Sequence, residues 1–410
     1  MEFKVFSLCF LLRQAMSLLD ELSSPAVWER FYEYRNTLAG IRDNRGLRQF
    51  IDGNRYLSTV EMIKAGRGYP LPVRSVISKM GSDKKRVVYT YPEDFNMVLK
   101  LLTYLMLRKY DGIFSKGLYS FRPGRTGRDA VKMLLSREGI AEMYSYKADV
   151  HDYFNSIPVE GLLPVLKAVL SDDEPLFAFL SALLADPRVI DGDGIISERK
   201  GIMAGTPVSS FFANLYLTEM DEYFEGLGIP YARYSDDIIV FADTEEGAKR
   251  HAEYIRSFLK DRGLELNPKK EEFHTPEEGF TFLGFYAGNG VVDIATATLT
   301  KLKQKMRRKR DALKRWQIRS EAEPERAAKA FIRMFNRKLL EPPRGSELSW
   351  SRWFFPVINT DRSLRQIDRY AQDCIRYLLT GRHTKARYNI RYGDIKALGY
   401  KNVVHEYYKE

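Results

Sequence analysis

The sequence Tyr234-Ser235-Asp236-Asp237 separates two short segments rich in strand-forming residues, 229–233 and 238–242. This pattern predicts a β-hairpin whose tip carries two consecutive carboxylates. Adjacent carboxylates repel each other, so at least one should have a raised pKa unless a cation lies nearby. A divalent cation such as Mg²⁺ or Mn²⁺ suits such a site because it prefers hard oxygen ligands. Taken alone, the pattern is more typical of a polar turn at a strand end, so the rest of the chain has to decide between the two interpretations.

Composition narrows the class of protein. With 410 residues, 44% of them hydrophobic, the chain is long enough for two or three packed domains. Lys and Arg outnumber Asp and Glu by 65 to 54, which favours a polyanionic partner, nucleic acid before a membrane. The two cysteines, Cys9 and Cys374, form neither a disulfide framework nor a zinc site, which favours a reducing compartment, the cytoplasm. No stretch approaches the roughly 18 apolar residues of a membrane span, so we expect a soluble protein with no membrane partner.

The N-terminal part, residues 1–70, predicts a helical extension because its apolar residues recur mostly at helical spacing. The apolar segment 5–12 has the character of a signal-peptide core, but it is short and no small-residue cleavage site follows it. An amphipathic helix that continues to about Leu22 is the favoured interpretation, with Met16 as an alternative start of the protein.

Residues 73–79 and 86–91 predict two strands of a basic hairpin that contains Lys79 and Arg86. Such a hairpin is either a solvated sheet edge protected by charge or a mobile clamp for a triphosphate. The residues alone leave both interpretations open.

Two further basic segments are candidates for contacts with phosphates. The turn-forming segment 119–125 carries Arg122 and Arg125, whose planar guanidinium groups suit bidentate contacts. Beyond Thr296 the chain is predicted to be helical, and residues 301–315 contain nine Lys or Arg residues and one Asp. A charge run of this kind is usually a solvated face, but beside a carboxylate site it favours a helix that follows a phosphate backbone.

A second carboxylate motif precedes the hairpin. Residues 144–150 predict a strand with Asp149 near its end, followed by Asp152 and Phe154. A carboxylate at a strand end is well placed for a site and poorly placed for a core. Across a sheet, Asp149 would lie beside Asp236.

The segment 201–210 predicts a turn that leads into a helix. Gly205 allows a backbone or ligand to approach closely, and Ser209 or Ser210 can cap the helix. Small residues on the exposed face of that helix would leave room for a base pair, and an ordinary capped helix is the alternative.

Taken in order, these segments resemble reverse transcriptases over roughly residues 73–286. Residues 234–237 match that family's Tyr-x-Asp-Asp motif, and 149–154 match its Asp-x-x-x-x-Phe/Tyr motif. Further matches are the turn and helix with Gly205, Ser209 and Asn214, the palm lysine Lys270, the primer-grip segment 282–284, the template-side segment 119–122, and the fingers pair Lys79 and Arg86. Several independent motifs in the family's order favour this interpretation strongly over a polar turn.

The resemblance implies an α+β right-hand polymerase fold with fingers, a palm built on an antiparallel sheet, and a thumb, with helical N-terminal and C-terminal extensions. It divides the chain into an N-terminal helical extension (1–70), fingers and palm (71–290), a basic helical thumb (291–345) and a C-terminal helical segment (346–410). The expected activity is DNA synthesis on an RNA template from dNTPs.

The resemblance also implies two Mg²⁺ ions, with Mn²⁺ as a substitute. Asp149 and Asp236 would hold them, with Asp237 in support and the carbonyl of Val150 as a further ligand. Lys270 would protonate the leaving pyrophosphate.

The resemblance further assigns contacts with nucleotides and nucleic acid. The incoming dNTP would contact Lys79, Arg86, Asp152, Phe154 and Gly205, and the Phe154 ring would exclude a 2′-hydroxyl. Template and primer would contact the following residues: Arg122, Arg125, Ser209, Asn214, Tyr234, Leu283, Gly284, Lys301, Arg307, Arg308 and Arg310.

The chain departs from the group II intron and retron patterns at Ala204, where many members have Gln, and it lacks the Asn-Ala-x-x-His signature of retron enzymes. No acidic cluster typical of ribonuclease H follows residue 286. The Ala-Gly-Thr-Pro turn and the ending 398–408 most resemble bacterial defence-associated reverse transcriptases that copy a partner non-coding RNA during phage infection. An RNA-binding maturase or assembly factor and an RNA-directed RNA polymerase are the alternatives, and the oligomeric state stays open.

Overall fold

A computed structural model describes residues 16–38, 44–78, 85–341 and 349–409. Within these ranges it confirms the α+β class, because helices alternate with three mainly antiparallel sheets. The helices are α1 (Leu18–Glu21), α2 (Pro25–Leu38), α3 (Arg45–Asp52), α4 (Tyr56–Lys64), α5 (Glu93–Lys109), α6 (Gly127–Leu135), α7 (Tyr153–Ser156), α8 (Val159–Val169), α9 (Glu174–Ala185), α10 (Ser209–Tyr216), α11 (Thr218–Gly226), α12 (Glu245–Asp261), α13 (Thr296–Arg319), α14 (Pro324–Leu339), α15 (Trp350–Phe354), α16 (Arg362–Thr380), α17 (Tyr392–Ala397) and α18 (Val403–Tyr407). The strands are β1 (Val73–Ser78), β2 (Lys85–Thr90), β3 (Tyr144–Asp149), β4 (Arg188–Asp191), β5 (Gly194–Ser197), β6 (Tyr231–Tyr234), β7 (Asp237–Ala242), β8 (Glu272–His274), β9 (Phe280–Phe282), β10 (Phe285–Gly288) and β11 (Val291–Ile294).

The chain divides into two compact units. The first contains the described residues up to Arg35, 44–130 and 144–273, and the second contains most of the remainder, 274–409 above all. The four-part division into extension, fingers and palm, thumb and C-terminal segment stays a prediction. None of the described helices is long and apolar enough to cross a membrane.

The central sheet of the first unit has the strand order β6-β7-β3-β8. Strand β7 is buried from Ile238 to Ala242 because it lies between two neighbours, which explains its run of β-branched and aromatic residues. Helix α12 packs against β3 and β7. The sheet therefore leaves the β6–β7 turn and the end of β3 together at one edge.

A second sheet in the same unit has the order β2-β1-β4-β5. Strands β1 and β2 pair antiparallel from Val73 opposite Thr90 to Ser78 opposite Lys85, which confirms the predicted basic hairpin. Lys79 and the turn that follows it lie outside the described residues. The hairpin β4–β5 and helix α9 were not predicted from the sequence.

The second unit contains the three-stranded sheet β11-β10-β9 and the helices α13 to α18. Helices α13, α14 and α16 pack on one another around buried side chains such as Phe331, Ile332 and Ile367. The predicted basic helix is confirmed and is longer than its charge run.

From the sequence, residues 282–286 are predicted to form one strand with a glycine kink at Gly284. This prediction was wrong, because Phe282 pairs with Phe285 and the two residues between them form the turn of a hairpin. Leu283 and Gly284 both have positive φ, +48° and +89°, as a two-residue turn of this type requires. A leucine gives little sign of this conformation, so the sequence reads as one strand.

Candidate active site

The predicted hairpin is present and tight. Tyr234 pairs with Asp237, so Ser235 and Asp236 form the two-residue connection and Ser235 has φ +61°. The Ser235 amide donates to the Ser120 hydroxyl at 2.9 Å. The segment 115–122 therefore holds the hairpin tip through Ser120.

Strand β3 brings the third carboxylate to the tip. Asp149 is the residue opposite Asp237 in the β3–β7 ladder, and the Val150 amide donates to the Asp236 carbonyl at 3.1 Å. Asp149 is 4% exposed, whereas Asp236 and Asp237 are half-buried. Three carboxylates thus lie at the ends of adjacent strands, as the motif spacing predicted.

The concentration of negative charge raises carboxyl pKa values. Burial, followed by the charges of Asp236 and Asp149, raises the pKa of Asp237 to about 6. Burial and the charge of Asp149 also raise the pKa of Asp236, while Lys270 and Arg86 oppose that shift. The site therefore has a deficit of positive charge.

Lys270 lies at this edge because of a short 3₁₀ helix, Pro268–Lys270. The Asn267 amide donates to the Asp149 carbonyl at 2.8 Å, which anchors the segment beside β3. The Lys270 ammonium forms an ion pair with the Asp149 carboxylate. Its predicted role as a proton donor stays a proposal, and in this structure it is a counter-ion within the site.

The donor set fits a hard divalent cation by its chemistry. Within the described ranges, no group of three or more His, Cys, Asp or Glu side chains is placed so that it could hold a metal ion by itself. Mg²⁺ in particular is usually held by one or two carboxylates together with water and substrate phosphates. Asp236 and Asp237 are half-buried carboxylates with raised pKa values, which is the donor chemistry that such a site would need.

Phe154 and the turn before α10 lie next to each other. The Phe154 carbonyl accepts the Ile202 amide at 2.9 Å, and the Phe154 ring meets Phe121 edge to face at 6.2 Å. Gly205 has φ +103°, and a Cβ there would lie 3.0 Å from the Tyr89 carbonyl oxygen. Gly205 is therefore required by backbone packing against β2, whatever it does toward a nucleotide.

Arg86 and Asp152, two other predicted nucleotide contacts, lie in different surroundings. Arg86 is exposed on β2 and is close enough to Asp236 to lower its pKa. Asp152 has φ +41° and immediately precedes α7, and its carboxylate lies 3.4 Å from the side-chain amide of Asn155.

Three predicted template contacts need correction, because their polar atoms are used inside the protein. Arg122 is 7% exposed and binds the Asp111 carboxylate and the carbonyls of residues 111, 115 and 118. Ser209 does not cap α10 but donates to the carbonyls of the preceding turn, and Asn214 exchanges two hydrogen bonds with Ser120. These three side chains hold the fold around the tip instead of facing a nucleic acid.

The remaining predicted contacts are open to solvent to different degrees. In the first unit, Tyr234 is half-buried, and Arg125 donates to the Lys116 carbonyl at 2.8 Å. In the second unit, Lys301, Arg307 and Arg308 are exposed on α13.

Arg310 differs from those helix residues. It pairs with Asp311 at 2.7 Å and lies over the Tyr377 ring, so its charge is largely used within the second unit.

Leu283 and Gly284 form the β9–β10 turn, where a Cβ on Gly284 would lie 3.2 Å from the Thr298 hydroxyl oxygen.

A buried network under the hairpin was missed from the sequence. Arg233 and Asp221 are both fully buried and form a bidentate ion pair, with Arg233 Nε 2.7 Å from the carboxylate. Arg233 also donates to the carbonyls of Asn214 and Ser235, and the Tyr231 hydroxyl donates to Asp221 at 2.6 Å. The one sequence signal was an arginine inside an otherwise apolar strand.

Comparison with known families agrees with this geometry. Residues 77–287, just over half of the chain, match the family described as "Reverse transcriptase (RNA-dependent DNA polymerase)". The chain therefore belongs to the reverse transcriptase family.

Among curated proteins, the group II intron-encoded protein LtrA of Lactococcus lactis subsp. cremoris is 24% identical over 214 residues, which cover 51% of this chain and 34% of that protein. An "Uncharacterized 91 kDa protein in cob intron" of Schizosaccharomyces pombe is 26% identical over 194 residues, 46% of this chain and 22% of that protein. The chain thus spans about a third or less of the length of these relatives. Among solved structures, apo telomerase from Candida tropicalis, truncated from its C-terminal domain, aligns with a TM-score of 0.46 at 12% identity over 60% of each chain.

Proposed function

We propose that this protein is an RNA-directed DNA polymerase that extends a primer with dNTPs on an RNA template. The observation that carries the proposal is the meeting of Asp149, Asp236 and Asp237 at adjacent strand ends inside the family-matched region. A polar turn without a function would have no reason to hold one buried and two half-buried carboxylates together, since each charge raises the cost of ionising the others.

Asp149 and Asp236 would hold two Mg²⁺ ions, or Mn²⁺ in their place, with Asp237 in support and the Val150 carbonyl nearby. When bound, such ions lower the pKa of the primer 3′-hydroxyl and neutralise the triphosphate. Arg86 and Lys79 add positive charge on the triphosphate side, and Lys270 is placed to give a proton to the leaving pyrophosphate. In that role Lys270 would leave Asp149, its partner in this structure.

Phe154 would select deoxynucleotides. Its ring is held edge to face by Phe121 and its backbone by Ile202, so it has little freedom to move away from a 2′-hydroxyl. Steric exclusion by a held ring favours dNTPs over rNTPs.

The test is primer extension on an RNA template with dNTPs and MgCl₂. Asp236→Ala should lower the rate by roughly 10³-fold or more, because a metal ligand contributes several kcal/mol to the transition state. Asp193→Asn is the matched control, since Asp193 is exposed in the turn between β4 and β5. Undiminished synthesis by the Asp236→Ala protein would refute the site.

We also propose that the enzyme acts in the bacterial cytoplasm as an antiphage defence protein that copies a structured partner non-coding RNA. The support is the resemblance of the Ala-Gly-Thr-Pro turn and of the ending 398–408 to defence-associated members. Sequencing the RNA that co-purifies with the protein should return one dominant structured species, and phage plating should rise when Asp236→Ala replaces the wild type. A random mixture of cellular RNA together with unchanged plating would contradict this role.

A further inference from the structure

The net positive charge of the chain is concentrated in two helices of the second unit. Helices α13 and α14 together contain 15 Lys or Arg residues and two Asp or Glu residues, a net charge of +13. The whole chain has a net charge of +11, so all other residues together are slightly acidic. A polyanion that binds this protein through charge would be drawn to these helices first.

Helices α13 and α14 pack together and line an open cavity of about 670 Å³. The volume is in the range of pockets that hold small organic ligands. Leu313 is buried at the cavity, and Trp316, 37% exposed, stands at its rim. The Trp316 ring contacts no other aromatic ring among the described residues, and its exposed part could stack on a planar partner.

Four cations line the same cavity: Lys309 on α13, and Arg326, Lys329 and Arg333 on α14. Their spacing follows the helical repeat, which places them on the facing stripes of the two helices. Lys329 pairs with Glu325 on its own helix. Within the described ranges, the other three have no carboxylate partner, and no acidic side chain lines the cavity.

We propose that this cavity binds a nucleotide of single-stranded RNA, with the base stacked on Trp316 and the adjoining phosphates on Lys309, Arg326 and Arg333. An indole beside unpaired cations is the combination that single-strand binding proteins use, because every base has a π-face and every nucleotide a phosphate. A duplex keeps its bases stacked on each other and offers none to Trp316. The site goes beyond the proposed catalysis, since it would hold an unpaired part of the RNA.

The experiment measures binding of a fluorescent eight-nucleotide oligo(A) RNA by anisotropy, without Mg²⁺ or dNTPs, so that a failure of the polymerase assignment cannot affect it. Trp316→Ala should weaken binding roughly tenfold. It should leave binding of an abasic oligomer of equal length unchanged. The double variant Lys309→Gln/Arg333→Gln should lower the slope of log K against log salt by about 1.4, near 0.7 for each lost phosphate contact on a single strand.

Lys305→Gln is the matched control, because Lys305 is exposed on α13 but does not line the cavity. It should weaken binding less than Lys309→Gln. Circular dichroism melting of all variants checks the fold, which the exposed positions should leave intact. Wild-type affinity of the Trp316→Ala protein, or equal losses for Lys305→Gln and Lys309→Gln, would overturn the proposal. Tighter binding of duplex RNA than of the single strand, with the same dependence on Trp316, would also overturn it.

Discussion

The buried ion pair under the β6–β7 hairpin provides a direct test of what holds the candidate site in place. Asp221→Asn removes one charge of the pair and leaves the Arg233 guanidinium at 0% exposure without a counter-ion. Breaking a buried pair by removing one partner costs about 3–5 kcal/mol of folding free energy. The amide oxygen of the new Asn and the carbonyls of Asn214 and Ser235, at 3.0 and 3.3 Å, can still accept hydrogen bonds from Arg233, but they carry no charge and cannot neutralise it.

The assay is equilibrium urea unfolding, with the shift in the midpoint multiplied by the wild-type slope. Glu160→Gln is the control, because the Glu160–Arg199 pair has a similar distance, 2.7 Å, but both side chains are more than two thirds exposed. An exposed pair of this kind contributes at most about 1 kcal/mol. A loss for Asp221→Asn no larger than that of the control would refute the argument from burial.

The double variant Asp221→Leu/Arg233→Met separates charge from packing. It removes both buried charges together, so it should recover part of the loss caused by Asp221→Asn. The recovery is incomplete because the Tyr231 hydroxyl loses its acceptor, at a cost of about 1–3 kcal/mol. If the double variant unfolds as early as the single one, the cost lies in packing and the electrostatic explanation fails.

Three further predictions follow from the same structure. Phe154→Val should raise the ratio of rNTP to dNTP incorporation by about tenfold or more in single-nucleotide extension, and an unchanged dNTP preference would contradict the gate. The pKa of Asp237 is raised to about 6, above its unfolded value near 3.8, so the folded protein holds the proton of this carboxyl more tightly than the unfolded chain does. The folded state is therefore not penalised at pH values below about 3.8, and it loses stability as pH rises from there through about 6, where Asp237 must ionise. Asp237→Asn should therefore stabilise the metal-free protein in EDTA by up to about 3 kcal/mol at pH 7.5 and by little at pH 4; a lower melting temperature at pH 7.5 would contradict this. Asp368 is buried and accepts hydrogen bonds from the Tyr400 hydroxyl and the Val403 and Val404 amides, so Asp368→Ala should cost about 2–4 kcal/mol and expose residues 398–408 to limited proteolysis, whereas an unchanged digestion pattern would count against it.

The sequence predicted those parts of the site that depend on local pattern. The strands around Tyr234-Ser235-Asp236-Asp237 and the strand ending at Asp149 have the apolar character that buried strands require, and both are present. Their meeting at one edge follows from antiparallel pairing, in which the turn of one hairpin lies beside the end of the next strand. The basic helix was equally visible, because charge and helical spacing are both local properties.

What the sequence could not predict depends on partners far along the chain. Ser209 looks like a helix cap, yet it serves the preceding turn, and Asn214 is satisfied by Ser120, 94 positions away. Arg122 looks like a phosphate ligand until Asp111 is seen to bind it. Residue type shows what a polar group can do, but the fold decides whether its hydrogen-bonding capacity is already used.

The charged pair under the hairpin and the carboxylates at its tip differ in how far their charges are compensated. Arg233 and Asp221 neutralise each other completely, so their network can hold the β6 backbone and the Ser235 carbonyl without a ligand. Asp236 and Asp237 directly follow Ser235 in the sequence, but no buried arginine among the described residues neutralises their carboxylates. The pKa values of both are therefore raised. A hairpin that joined its carboxylates to the same network would be more stable but would have no affinity left for a cation. The paired charges therefore fix the position of the turn, and the uncompensated ones leave excess negative charge at its tip.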